Sequence, residues 1–196
     1  MTKDTDAIRI QKLIQAVVPN KIKLSSVQGD FYRVVSFKRS QGMLSTKGAE
    51  LTGGRFNFRP PGGNSFPTLY CSQTNFTAIH ERFYNLITDR KPLPPHTVAC
   101  IQVDLARVWD LSSVQLCQQA NIDWDELNQP WEYYQDYLQI PSYSQLIGEM
   151  AYQEQVEAVM FESTKHSGYP NLAIFSEHLT LDRLNIYDPR NEFSDQ

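Results

Sequence analysis

The sequence predicts a single α+β domain built around a mixed, mostly antiparallel sheet. Three observations lead there. Stretches with strand patterning and stretches with helical patterning follow one another irregularly, not in strict βαβ units. The 196 residues, 41% hydrophobic and 20% charged, suffice for one well-buried core. No internal repeat or low-complexity linker divides the chain, and 10 Tyr and 10 Phe set it apart from disordered sequences.

The elements follow in order. Ile8, Ile10, Leu13, Ile14, Val17 and Val18 recur at helical spacing, so an N-terminal helix is expected, ended by Pro19-Asn20. Phe31 to Phe37, with branched Val34 and Val35, reads as a strand. Residues 41–64 form a long Gly- and Pro-rich stretch, of the kind that carries function when it is ordered. Thr68 to Cys71 reads as a short strand. Asn75 to Thr88 reads as a helix with Phe76, Ile79, Phe83 and Leu86 as its apolar stripe. Thr97 to Leu105 is a further strand, and Asp125 to Leu138 an aromatic-rich helix. Ser142 to Tyr152 is a helix with Ser142 as N-cap. Ala158 to Phe161, Leu172 to Phe175 and Leu184 to Tyr187 are late strands. The expected organisation is a helical extension over 1–29, a catalytic unit over 30–180, and a C-terminal strand and tail over 181–196.

Charge narrows the function classes. The net charge of −4 gives no reason to expect direct nucleic-acid binding. Its distribution is uneven: residues 30–63 hold six basic and two acidic side chains, and residues 104–160 hold ten acidic and one basic. A small anionic ligand suits the positive part. Cys71, Cys100 and Cys117 make neither a disulfide framework nor a zinc knuckle. The opening Met1-Thr2-Lys3-Asp4-Thr5-Asp6 lacks the apolar core of a signal peptide. No apolar run approaches the roughly 20 residues of a membrane span. A cytoplasmic, reduced protein off the membrane is expected.

Several motifs fail on spacing. His80-Glu81 would need a second histidine at position 84, which is Tyr84, to make a metalloprotease helix. His80, His96, His166 and His178 show no ligand spacing, so no metal is expected. Gly62-Gly63-Asn64-Ser65 lacks the ending of a phosphate loop, and Ser65 lacks the flanking glycines of a nucleophile elbow. What survives is a scattered set: Arg55 in Gly53-Gly54-Arg55-Phe56-Asn57, Tyr70, Glu81 and Ser163. A cation, an aromatic hydroxyl, a carboxylate and a hydroxyl suit a phosphate-bearing nucleoside. By periodicity alone Glu81 lies nearly opposite the apolar stripe of its helix, on a side shared with Thr74, Ala78 and Asn85. That side is either solvated or lines a cleft.

Together these pieces resemble the RES domain family, named for its Arg, Glu and Ser. The resemblance rests on Tyr32-Arg33-Val34, on Gly53-Gly54-Arg55-Phe56-Asn57 followed by Pro60-Pro61-Gly62, and on Leu69-Tyr70. It continues through Thr77-Ala78-Ile79-His80-Glu81, then Phe161-Glu162-Ser163-Thr164 with Gly168 and Leu172-Ala173-Ile174-Phe175. Glu162 stands where the family often has proline, and Ser176, after the apolar strand, is the competing serine.

The resemblance implies a fold similar to ADP-ribosyltransferase toxins and an enzyme that consumes NAD as substrate, by hydrolysis, phosphorolysis or transfer to a protein. It also implies a toxin partnered by an Xre-type antitoxin. A catalytically silent NAD-binding module is the alternative of another class. Nicotinamide leaves as a neutral ring from a cationic nitrogen, so one carboxylate can suffice where most glycosidases use two. On this reading Glu81 stabilises the oxocarbenium-like transition state, and Arg55, with Arg33, clamps the pyrophosphate. Tyr70 orients the nicotinamide end, Asn57 lies in the binding loop, and Ser163 hydrogen-bonds the substrate or positions Glu81. The N-terminal extension has three candidate uses: antitoxin docking, homo-oligomer formation or packing.

Overall fold

The computed structural model describes residues 3–17 and 23–190. The elements are α1 (Lys3–Ala16), β1 (Leu24–Ser36), α2 (Lys47–Thr52), β2 (Thr68–Ser72), α3 (Asn75–Thr88) and β3 (His96–Leu111). They continue with α4 (Val114–Gln119), α5 (Trp124–Leu127), α6 (Tyr143–Gln153), β4 (Ala158–Glu162), β5 (Pro170–Phe175) and β6 (Leu184–Ile186). The fold is α+β, as the irregular element order predicted. No described helix is long and apolar enough to cross a membrane.

The six strands run in the order β1-β2-β5-β4-β3-β6, and β1 also pairs with β3, so five of them close a ring. Only β3 and β4 pair in parallel; the other pairings are antiparallel. β1 and β2 meet at the single pair Tyr32–Ser72. Alternation along the strands divides the side chains between two cores. Leu69, Cys71, Ala158, Leu172 and Ile174 point into the ring with Phe31, Val35 and Ile101. Val159, Phe161, Ala173, Phe175 and Trp109 point out, where Ile10 of α1, Val17 just after it and Ile147 of α6 cover them. At β2, β4 and β5 the sheet is therefore buried on both faces, and these short strands read as apolar runs.

Five expectations about the elements are corrected. β1 starts at Leu24, well before Phe31, because its polar first half, Ser25 to Asp30, is carried by pairing with β3. It runs across residue 30 without a linker, and Phe37 opens a 3-10 turn. The expected loop at 41–64 contains the short helix α2. The expected helix at 125–138 is two pieces, α5 and a π-helical turn at Tyr133–Leu138, separated at Pro130, which has no amide hydrogen to continue a helix. In α3 the buried residues are Thr77, Ala78 and Phe83, and Phe76 is 57% exposed. β3 also extends to Leu111, because beyond an irregularity at Ala106-Arg107 it pairs again with β1 at Val108 and Trp109 and with β4 from Val108 to Leu111. The predicted N-cap at Ser142 forms, with Gln145 completing a capping box. Pro19-Asn20 and the tail beyond 190 lie outside the described residues.

Candidate active site

The loop bearing Arg55 is fastened from below. Gly53 sits at φ 72°, and a Cβ there would meet Gln135 Oε1 at 2.1 Å. A Cβ on Gly54 would meet Asn57 Oδ1 and the Tyr70 hydroxyl at 2.7 Å. Glycine is thus required twice, once by conformation and once by contact. The Tyr70 hydroxyl accepts from Phe56 N (2.9 Å) and donates to Asn57 Oδ1 (2.7 Å), and Asn57 Nδ2 donates to Ala49 O (3.0 Å). Two buried glutamines finish the cradle. Gln145 Nε2 donates to Gly54 O (3.1 Å) and Gln135 Nε2 to Thr52 O (2.9 Å). Burial drives the Tyr70 phenol well above its ordinary pKa, against the Phe56 amide and the nearby Arg55 charge. Tyr70 therefore stays a neutral donor. Asn57 is fully buried, and its side chain is spent on the loop.

Arg55 emerges from this cradle toward the acidic segment. Its Nη1 donates to Leu127 O (3.0 Å) and Gln129 O (3.4 Å), and Nη2 to Thr164 Oγ1 (3.4 Å). Burial lowers its pKa, with Glu132 and then Glu81 and Tyr70 pulling it back up. Among the described residues no carboxylate forms a salt bridge with it. The result is a partly buried cation held by neutral oxygens, a state that favours binding an anion.

Glu81 lies two residues before a kink in α3 at Phe83. The helix starts at its N-cap Thr74, whose hydroxyl accepts from Thr77 N (3.0 Å). The side chain of Glu81 meets the β4–β5 turn. Ser163 Oγ donates to Glu81 Oε1 (2.7 Å) and accepts from the amides of Lys165 (3.2 Å) and His166 (2.9 Å). A hydroxyl has one donor and two acceptor sites, so Ser163 is saturated and its proton has one direction. Asn171, 3% exposed on β5, donates Nδ2 to the same Oε1 (2.7 Å). Among the described residues no hydrogen bond reaches Oε2. A stack of rings ties α3 to this turn: His80 lies 5.2 Å from His166, and His166 lies 4.4 Å from Tyr169, at 9° between planes.

The structure thus brings Arg55, Tyr70, Glu81 and Ser163 into one neighbourhood on the outer face of the sheet. It does not bring Arg33 there. With Tyr32 opposite Ser72, alternation turns Arg33 to the inner face beside Cys71, where Nη1 donates to Met43 O (3.0 Å) and burial lowers its pKa. Ser176, the competing serine, only opens a short 3-10 turn after β5. A cavity of about 320 Å³ opens beside the 163–169 turn, lined by Trp124, Glu162 and Tyr169 but not by Glu81 or Arg55. Sequence reasoning missed Asn171, Gln135 and Gln145, since nothing in one sequence separates a buried amide from a surface one.

Fold and site define a small α+β protein that presents one oriented carboxylate beside one partly buried arginine. Residues 30–194 match the RES domain, and the chain belongs to that family. Its fold is similar to that of a chain in the crystal structure of the M. tuberculosis MbcT–MbcA toxin–antitoxin complex. The TM-score is 0.64 at 19% identity, over 90% of this chain and 89% of that one. Compared by sequence with curated proteins, the chain matches none.

Proposed function

We propose that this protein cleaves the nicotinamide–ribose bond of NAD. The observation that carries the reading is the juxtaposition of Glu81, fixed through Oε1 with no hydrogen bond to Oε2 among the described residues, and Arg55, a partly buried cation with no salt bridge among those residues. Arg55 takes a pyrophosphate oxygen, for which its planar fork is suited. The bond from ribose C1′ to the pyridinium nitrogen breaks, and its electron pair neutralises the leaving nicotinamide. Positive charge builds on the ribose ring, where the Glu81 carboxylate stabilises it. An oxygen of water or phosphate then bonds to C1′, the water proton passing to Glu81 or solvent. Ser163 has no free lone pair and no histidine base, so it acts as the orienting donor, not the nucleophile. Tyr70 and Asn57 hold the Arg55 loop, and Arg33 supports the sheet from inside the ring.

The role proposed for the protein is that of a toxin neutralised by an antitoxin protein. Support comes from membership of the RES domain family and from the likeness to a chain of a toxin–antitoxin complex. The test is direct: purified protein is incubated with saturating NAD and free nicotinamide is measured. Wild type releases it, and Glu81→Gln, which keeps the size but not the charge, is slower by about 10²-fold or more. No nicotinamide from wild type refutes the reading. Label moving from NAD onto protein would replace hydrolysis with transfer.

A further inference from the structure

Resting on the reading of Glu81 as the reacting carboxylate, we propose that Asn171 is a positioning residue of the site. Together with Ser163 it claims Oε1 of Glu81 and so reserves Oε2 for the substrate. Three observations carry this. First, both protein donors converge on one oxygen: Ser163 Oγ and Asn171 Nδ2 each lie 2.7 Å from Oε1. Two donors on one oxygen pin the carboxylate of a residue that otherwise stands on an exposed helix face.

Second, Asn171 is buried in the sheet. Its backbone sits in the ladder between Ser72 of β2 and Phe161 of β4, and the residue is 3% exposed. The donor therefore has one position, set by the centre of the sheet and not by a loop. Third, the amide is half unsatisfied: Asn171 Oδ1 is buried without a hydrogen-bond partner. A leucine of similar size would fill the place without that cost, so the amide does nothing for packing that an apolar side chain would not do better. What only the amide supplies is the bond to Glu81. Its orientation is also settled by that bond, because the reverse placement would set a carbonyl oxygen against a carboxylate.

The experiment uses Asn171→Leu in the full chain. The variant is expected to melt at or above the wild-type temperature. With NAD its kcat is expected to fall at least tenfold, while KM stays within about twofold of wild type. An unchanged kcat, or a raised KM with kcat unchanged, would overturn the positioning role. A second arm does not depend on chemistry. Unfolding is measured for Asn171→Leu, Glu81→Ala and the double variant. The effects are expected to miss additivity by about tenfold or more in the unfolding equilibrium, the worth of a hydrogen bond to a charged group. Additive effects overturn the pairing. If wild type releases no nicotinamide but the cycle is non-additive, the NAD reading fails and the hold on Glu81 stands.

Discussion

Gly148 offers a test in which two known effects of opposite sign compete. It lies in α6, and a Cβ built there would stand 1.9 Å from Phe56 O and 2.6 Å from Phe56 C. Those are backbone atoms of a residue with 0% exposure, whose ring packs on Phe161 at 4.8 Å. Helix propensity alone makes Gly148→Ala stabilising by about 1 kcal/mol. To restore a normal contact the two backbones must separate by roughly 1.3 Å or more, given carbon–oxygen contacts of about 3.2 Å or longer. That shift lengthens the bond between α6 and the loop, from Gln145 Nε2 to Gly54 O and now 3.1 Å, past any useful range. Overpacking costs about 1–3 kcal/mol, and the stranded Gln145 amide hydrogen about 1–3 more. After subtracting the propensity gain, the net loss is roughly 1–5 kcal/mol. At this chain length each kcal/mol lowers Tm by about 2–4 °C.

Gly48 in α2 is the control, because a Cβ there meets nothing within 4 Å. Gly48→Ala is expected to be neutral or to raise Tm slightly. Because Phe56 adjoins Arg55, Gly148→Ala is also expected to raise KM for NAD at temperatures where it remains folded. The assays are thermal unfolding and nicotinamide release against NAD concentration. If Gly148→Ala melts at or above wild type with unchanged KM, the close approach of α6 to the Arg55 loop is wrong.

Two further predictions concern the surroundings. Arg9 on α1 joins Asp6 and Glu126 and donates to the Tyr134 hydroxyl at 3.0 Å, and Glu126 holds its pKa above the ordinary value. Arg9→Met leaves two carboxylates together and is expected to cost roughly 1–3 kcal/mol. That lies below the range for fully buried pairs because the Arg9 side chain is 31% exposed; an unchanged Tm would show that α1 is not docked this way. Burial pushes the Cys71 and Cys117 thiols up to about 12, from 9.0. The native state therefore keeps protons that the unfolded chain releases, so stability is full below about pH 9 and declines between there and about 12. Under native conditions at pH 8 a thiol reagent should spare Cys71 and Cys117 and reach them on unfolding; rapid native labelling of both would contradict their burial.

Much of the fold was legible because it is written locally. The α3 range follows from apolar spacing, and the cap at Ser142 needs only residues three apart. β2 and β5 are short apolar runs because both faces of the sheet are buried. The first half of β1 was not legible. Polar residues with weak strand preference are held there by pairing with β3, some 75 residues later. The π-helical turn escaped because its aromatic spacing mimics an ordinary helix.

The residue types of the site were likewise present in the sequence: a glycine-led arginine, a carboxylate on a helix and a serine before a turn. Sequence alone determined which groups could do the chemistry, because side-chain identity sets charge and hydrogen-bonding capacity. Only tertiary structure decided which of them meet. Ser163 reaches Glu81 across 82 positions and Asn171 across 90. Arg33, expected to share the clamp with Arg55, is turned to the inner face by strand alternation. A contact between distant residues depends on how the ring of strands closes, and that closure is a property of the whole chain.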